Sequence, residues 1–122
     1  MIQVGSNLSV ADNSGAKNFK VIGIPGSSKR RFASTGDVVT AVVDGASGTG
    51  VVEDHSILKV VIVRTRKEVR RKDGSYVRFD DNAGVVVDKD KNLVATRIFG
   101  PIGREIRDAG FLKIASLAKE VW

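Results

Sequence analysis

Apolar residues in this chain come in short runs cut by turns rich in Gly, Asp and Asn, the rhythm of a small β protein rather than of a helical bundle. Residues 2–10 read as one or two short strands ending at the turn cluster Asp12-Asn13-Ser14-Gly15. Residues 19–24 alternate, with Phe19, Val21 and Gly23 on one face, until Pro25-Gly26-Ser27-Ser28 breaks the pattern. After the turn Thr35-Gly36-Asp37, Val38–Val43 is apolar on both sides, as a barrel strand would be. Residues 57–63 form the longest uninterrupted β-run, with Lys59 its one charge, and should be buried on both faces. Ala83–Val87 returns as a further core strand, and residues 93–99 read as extended until Gly100-Pro101 stops them. Two short helices are predicted to finish the chain. One spans residues 101–109 and is capped by Gly110; the other spans 111–121, with Phe111, Ile114, Ala115 and Ala118 forming a core-facing stripe.

After Val63 the apolar run gives way to polar alternation, which predicts a strand leaving the core and continuing as a ribbon over residues 64–79. Asp73-Gly74 is a preferred pair for a two-residue type I′ hairpin turn. That closure would set Lys72 opposite Ser75, Arg71 opposite Tyr76, Arg70 opposite Val77 and Val69 opposite Arg78. One face would then carry Lys67, Val69, Arg71, Tyr76 and Arg78, the other Glu68, Arg70, Lys72, Val77 and Phe79. Arg71 beside Tyr76 would offer a flat surface on which a nucleobase could stack.

Charge sharpens this picture. The segment 57–79 holds eight basic residues (Lys59, Arg64, Arg66, Lys67, Arg70, Arg71, Lys72, Arg78) and two acidic ones (Glu68, Asp73). Its net charge of +6 equals that of the whole chain, so everything outside it balances. A pI near 9.9 with the excess in one place points to a polyanionic partner. A solvated hairpin is the plainer alternative, and concentration of the entire net charge in the one segment 57–79 argues against it. Lys29-Arg30-Arg31-Phe32 is a smaller basic cluster in a loop, which by itself is most simply solvated charge.

Other chemistry is sparse. The 122 residues fit one domain, 1–122, and there is no cysteine for disulfides or thiolate metal sites. No apolar run approaches the length of a membrane span, and residues 1–10 lack the features of a secretory signal, so no membrane partner is expected and the cytoplasm is the default location. The Gly-rich stretch 44–50 lacks the Gly-Lys-Ser/Thr of a phosphate loop and reads as a flexible hairpin loop. His55, the single histidine, has only Glu53 and Asp54 beside it, a poor basis for a metal or catalytic site. No Ser/His/Asp set or carboxylate pair emerges by spacing. Asp80-Asp81 is better explained as an exposed turn than as a metal pair, so no catalytic residue, metal or cofactor is assigned.

Several long motifs recur together and in order: VADNSGA (10–16), Arg30-Arg31 before an aromatic, GDVV (36–39), KVVIVRT (59–65), VRRKDGSYVRFDDNA (69–83), TRIFGPIGREIRD (96–108) and the tail FLKIASLAKEV. Together they make the whole chain resemble the universal L-fourteen family of large-subunit ribosomal proteins. The resemblance implies a mainly β fold, a small five-stranded β-barrel with a projecting β-hairpin ribbon and a short C-terminal helical region. It implies a non-enzymatic structural role in the ribosome of the cytoplasm. The implied partners are large-subunit rRNA, neighbouring ribosomal proteins, small-subunit rRNA at an intersubunit bridge, and a ribosome silencing factor. The family positions that meet that factor match Thr96, Arg97 and Lys113. With the basic pattern, the candidate rRNA-binding set is Arg30, Arg31, Arg64, Arg66, Lys67, Arg70, Arg71, Lys72, Tyr76 and Arg78. The sequence departs from the family at Lys72 and Lys119, where proline is usual, and at residues 51–57, where Lys and Gly are usual. A free-standing single-strand nucleic-acid-binding barrel is the rival reading, although one Tyr, one Trp and five Phe provide few stacking platforms. A small nuclease is the third, and finds no catalytic set.

Overall fold

The computed structural model describes residues 2–26, 31–48, 50–88 and 92–122. Five strands close a barrel in the order β1 (Asn7–Val10), β2 (Asn18–Gly23), β3 (Val38–Val43), β4 (Ile57–Arg64) and β7 (Ala83–Val87). Neighbours are antiparallel except at the seam, where β1 runs parallel to β7 through Ser9 opposite Ala83 and Val10 opposite Gly84. Between β4 and β7 the chain leaves the barrel as a separate two-stranded ribbon, β5 (Val69–Arg70) and β6 (Tyr76–Val77). Two short helices follow, α1 (Glu105–Asp108) and α2 (Leu112–Leu117).

Side-chain alternation divides the apolar residues into two clusters. Leu8, Phe19, Val21, Val39, Ala41, Val43, Val60, Ile62 and Val86 point into the barrel and fill it. Val61, Val63, Val85 and Val87 point outward from β4 and β7, beneath Ile98, Ile102, Ile106, Phe111 and Ile114 of the C-terminal region. The expected two-sided burial of 57–63 holds only for its second half: Val60 through Val63 are all fully buried, two facing the barrel and two facing the C-terminal cover, whereas Ile57 is 66% exposed and Lys59 is exposed too. That cover also brings α1 alongside the ribbon, next to residues 69–73.

Three expectations need correction. Residues 93–99 form only isolated bridges, Leu93 to Val87 and Ile98 to Asp12, rather than a strand. The predicted helices shrink to α1 and α2, since Pro101–Gly103 serve as a linker and Ala118 is already extended at the end of α2. The Gly-rich stretch is pinned rather than loose: Ser47 N–H donates to Gly15 O at 2.7 Å and Lys17 N–H to Gly45 O at 2.8 Å.

Candidate nucleic-acid interface

The ribbon is built by its turn. Gly74 N–H donates to Arg71 O at 3.0 Å, and Arg71 N–H donates to Ser75 O at 2.9 Å. Gly74 alone of the turn residues has positive φ, +88°. A type I′ turn would require Asp73 there as well, so the chain adopts a three-residue loop, Lys72-Asp73-Gly74, with the glycine completing a bulge. The Asp73 carboxylate favours this form by accepting from Ser75 Oγ at 2.6 Å and from Ser75 N–H at 3.0 Å. The same two bonds hold its pKa below the ordinary aspartate value, the Ser75 hydroxyl contributing most.

The register therefore slips by one relative to the type I′ closure. Val69 pairs with Val77, and Arg70, not Arg71, faces Tyr76. Arg66, Lys67, Arg70, Lys72 and Arg78 are exposed, as is Tyr76, whereas Val69, Arg71, Val77 and Phe79 are only partly so. The planar cation beside the aromatic ring is Arg70. Lys67 lies 3.3 Å from Glu68, an exposed neighbour whose carboxyl is held low by its own backbone N–H and by Lys67.

Two of the candidate cations face inward. Arg64 has an 11%-exposed side chain; its Nε donates to Asp81 Oδ1 at 2.6 Å and its Nη1 to Phe99 O and Pro101 O at 3.0 and 3.1 Å. It ties the end of β4 to the turn after the ribbon and to the approach to α1. The Asp80-Asp81 turn is thus more than exposed polarity, since Asp81 is spent on Arg64. Arg71 has an 18%-exposed side chain and its Nε donates to Glu105 Oε1 at 2.9 Å. Asp81 and Glu105 lie 17 and 34 residues from their partners, so neither pairing is legible in a local pattern. Arg31 is exposed in its loop, and Arg30 falls outside the described residues.

The fold also brings in a cation that sequence reasoning missed. Arg104, at the start of α1, lines a cleft of about 480 Å³ together with Arg70, Arg71 and Lys72 of the ribbon; Asp73, Glu105 and Asp108 share its walls. Among the described residues no group of His, Cys, Asp and Glu is arranged to hold a metal ion, and no helix is long and apolar enough to cross a membrane. His55 is exposed, with Asp54 3.4 Å away.

The second candidate face is organised by Asn13. Its Oδ1 accepts from Thr96 N–H at 2.9 Å and Arg97 N–H at 3.1 Å, and its Nδ2 donates to Thr96 Oγ1 at 2.8 Å. Thr96 and Arg97 then line a groove with Phe99, Leu117 and Lys119. Lys113 is exposed on α2, four residues before Leu117 and so on the same side of that helix. Asn13 was legible only as a turn former, because its partners lie more than eighty residues downstream.

Against known families, the model described as ribosomal protein L14p/L23e matches residues 1–122, the full chain. The chain belongs to the L14p/L23e family of ribosomal proteins. Membership makes it a structural constituent of the large ribosomal subunit rather than an enzyme, within a family that binds rRNA and other ribosomal proteins. In L14p/L23e terms, the barrel and its C-terminal cover form the body, and the ribbon is a basic projection from it.

Proposed function

We propose that the ribbon is the principal rRNA grip of this L14p/L23e protein and that the Thr96–Arg97–Lys113 face receives protein partners, including a ribosome silencing factor. The observation that carries the first half is the charge: Arg66, Lys67, Arg70, Lys72 and Arg78 are all exposed on a projection, residues 64–79, that holds +5 of the chain's net +6. Like charges packed this closely repel one another, and an anionic backbone laid alongside relieves that cost. Arg104, which shares the cleft with Arg70 and Lys72, extends the same contact, and exposed Arg31 offers a further cation. Tyr76, 61% exposed beside Arg70, suits an unpaired base, while phosphate contacts fix register. Small-subunit rRNA at an intersubunit bridge belongs to the same functional reading. The rival single-strand module finds little support, since Tyr76 is the one exposed aromatic on the ribbon, and Phe32, Phe99 and Trp122 come from separate segments.

Five phosphate contacts should give a slope of about −3 to −5 for log K against log salt on a large-subunit rRNA fragment. Replacing Arg70, Lys72 and Arg78 together by Gln should flatten the slope and remove most of the affinity, with the barrel intact by circular dichroism. A slope near zero for the unaltered protein refutes the electrostatic grip.

A further inference from the structure

Arg71 sits at the centre of the basic motif, yet it is turned away from solvent. Its guanidinium reaches Glu105 at the start of α1, and both side chains are largely covered, 18% and 23% exposed. Glu105 has room to turn inward. A Cβ added at Gly103 would lie 2.6 Å from Glu105 Oε2 and 2.7 Å from Thr35 Cγ2, so the glycine leaves the space that the carboxylate occupies. The backbone beneath is fixed, because Gly103 N–H donates to Val63 O at 2.9 Å and Ile106, one residue on, is fully buried. On the ribbon side, Arg71 lies immediately before the Lys72-Asp73-Gly74 loop, with its N–H bonded to Ser75 O.

The ribbon has few other fastenings. Its strands form their own two-stranded sheet, outside the barrel ladder. Its root is held by Arg64 to Asp81, by Phe79 N–H to Thr65 O at 2.9 Å and by Arg66 N–H to Asn82 Oδ1 at 2.8 Å. All of these lie at the base. The Arg71–Glu105 pair is the ion pair found near the tip among the described residues, and two-stranded hairpins are at best marginally rigid alone.

We propose that Arg71 and Glu105 form a latch that sets the angle of the ribbon over α1, making Glu105 a positioning residue for rRNA binding although its charge opposes RNA. Arg71 is then a positioning residue too, and the phosphate contacts belong to its outward neighbours Arg70 and Lys72. The latch preorganises those cations in one geometry, so that docking does not have to order the hairpin. This rests on the reading of the ribbon as the rRNA grip, and the two ideas separate by the sign of a single effect.

Removing an acidic residue beside a cationic ribbon should, by charge alone, tighten RNA binding. The latch requires the reverse. Glu105→Gln is expected to weaken binding to a large-subunit rRNA fragment by about 5- to 20-fold while leaving the salt slope unchanged, because no phosphate contact is lost. The exchanged pair, Arg71→Glu with Glu105→Arg, should recover most of that affinity. Residual dipolar couplings in the free full-length protein provide a readout independent of RNA: ribbon amides should share the barrel's alignment in the wild type and average toward zero in Glu105→Gln. Unchanged or tighter binding by Glu105→Gln overturns the latch, as does failure of the exchanged pair while its couplings remain ordered. If Glu105→Gln does not fold, Arg71→Lys, which keeps the charge but lacks the Nε–H that reaches Glu105 Oε1, takes its place with the same expected weakening and ribbon averaging. Should Arg70, Lys72 and Arg78 all be replaceable without loss of affinity, the grip itself is wrong and the latch falls with it.

Discussion

Asp12 offers a measurement of what closes the barrel. The residue is 4% exposed, and its carboxylate accepts from Ser14 Oγ at 2.6 Å, from Ser14 N–H at 3.2 Å and from Val86 N–H at 2.9 Å. The last bond extends the parallel β1–β7 seam beyond its two paired positions, where the Ala11 carbonyl is already occupied by Phe99 N–H at 2.7 Å. Asp12→Ala deletes three charge-assisted bonds and leaves the Val86 donor buried without a partner. Hydrogen bonds to charged groups contribute about 1.5–3 kcal/mol each, and the Ser14 hydroxyl is free to rotate to another acceptor, so the net loss should be about 3–5 kcal/mol. That is a large share of the roughly 5–15 kcal/mol that holds a domain together. With a urea m-value near 2 kcal/mol per molar, the unfolding midpoint should fall by about 2 M. Asp12→Asn is the sharper comparison. Oδ1 faces two donors and Oδ2 one, so an amide group in either position confronts an N–H or O–H, and a loss of about 2 kcal/mol is expected although shape is preserved. A loss below about 1 kcal/mol for Asp12→Ala, at unchanged m, would refute the view that this carboxylate secures the seam.

Further outcomes concern the ribbon. The depressed pKa of Asp73 means that the ionised carboxylate stabilises the turn. This contribution is complete above the ordinary aspartate range and is lost as pH falls through the lower folded-state value. Carbon-detected NMR should find the Asp73 midpoint below that of a model peptide, and Ser75→Ala should raise it; an unmoved midpoint in Ser75→Ala removes the assigned cause. Lys72 occupies the first corner of the Arg71–Gly74 turn, a position where proline's fixed φ fits. Lys72→Pro should therefore stabilise the hairpin by about 0.4–1 kcal/mol, seen as about 2- to 5-fold slower exchange of the Arg71 amide. If the proposed grip is right, the same change should reduce the magnitude of the RNA salt slope by about one, since one exposed ribbon cation is lost.

The strands were legible because their spacing is a direct imprint of burial. Val38–Val43 carries alternate inward residues Val39, Ala41 and Val43, and the structure reproduces those bounds. The run through Val60–Val63 betrayed its two-sided burial by its lack of alternation. Local turn chemistry was harder to read, since Asp73-Gly74 suits two loop lengths and Asp73's φ, favoured by the Ser75 contacts, chose between them. One position of slip then exchanged Arg70 for Arg71 beside Tyr76. The site was legible as charge but not as direction: Arg64 and Arg71 look like their exposed neighbours until Asp81 and Glu105 are brought to them by the fold. Asn13 and Asp12 show the same limit, since a polar turn residue gives no sign of a partner on another element.

The parallel seam also imposes a timetable. Asp12 meets Val86, 74 residues further along the chain. At synthesis rates of about 5–20 residues per second, roughly 4–15 s separate the emergence of β1 from that of its closing partner. Through that interval β1 to β4 can form only an open sheet with two unpaired edges, the arrangement most exposed to wrong pairing. The polar Asn7 and Ser9 on β1 make one of those edges less adhesive. Residues 64–79 leave the ribosome before β7 does, so the basic hairpin meets the polyanion-rich surroundings of the nascent chain while the barrel behind it is still open.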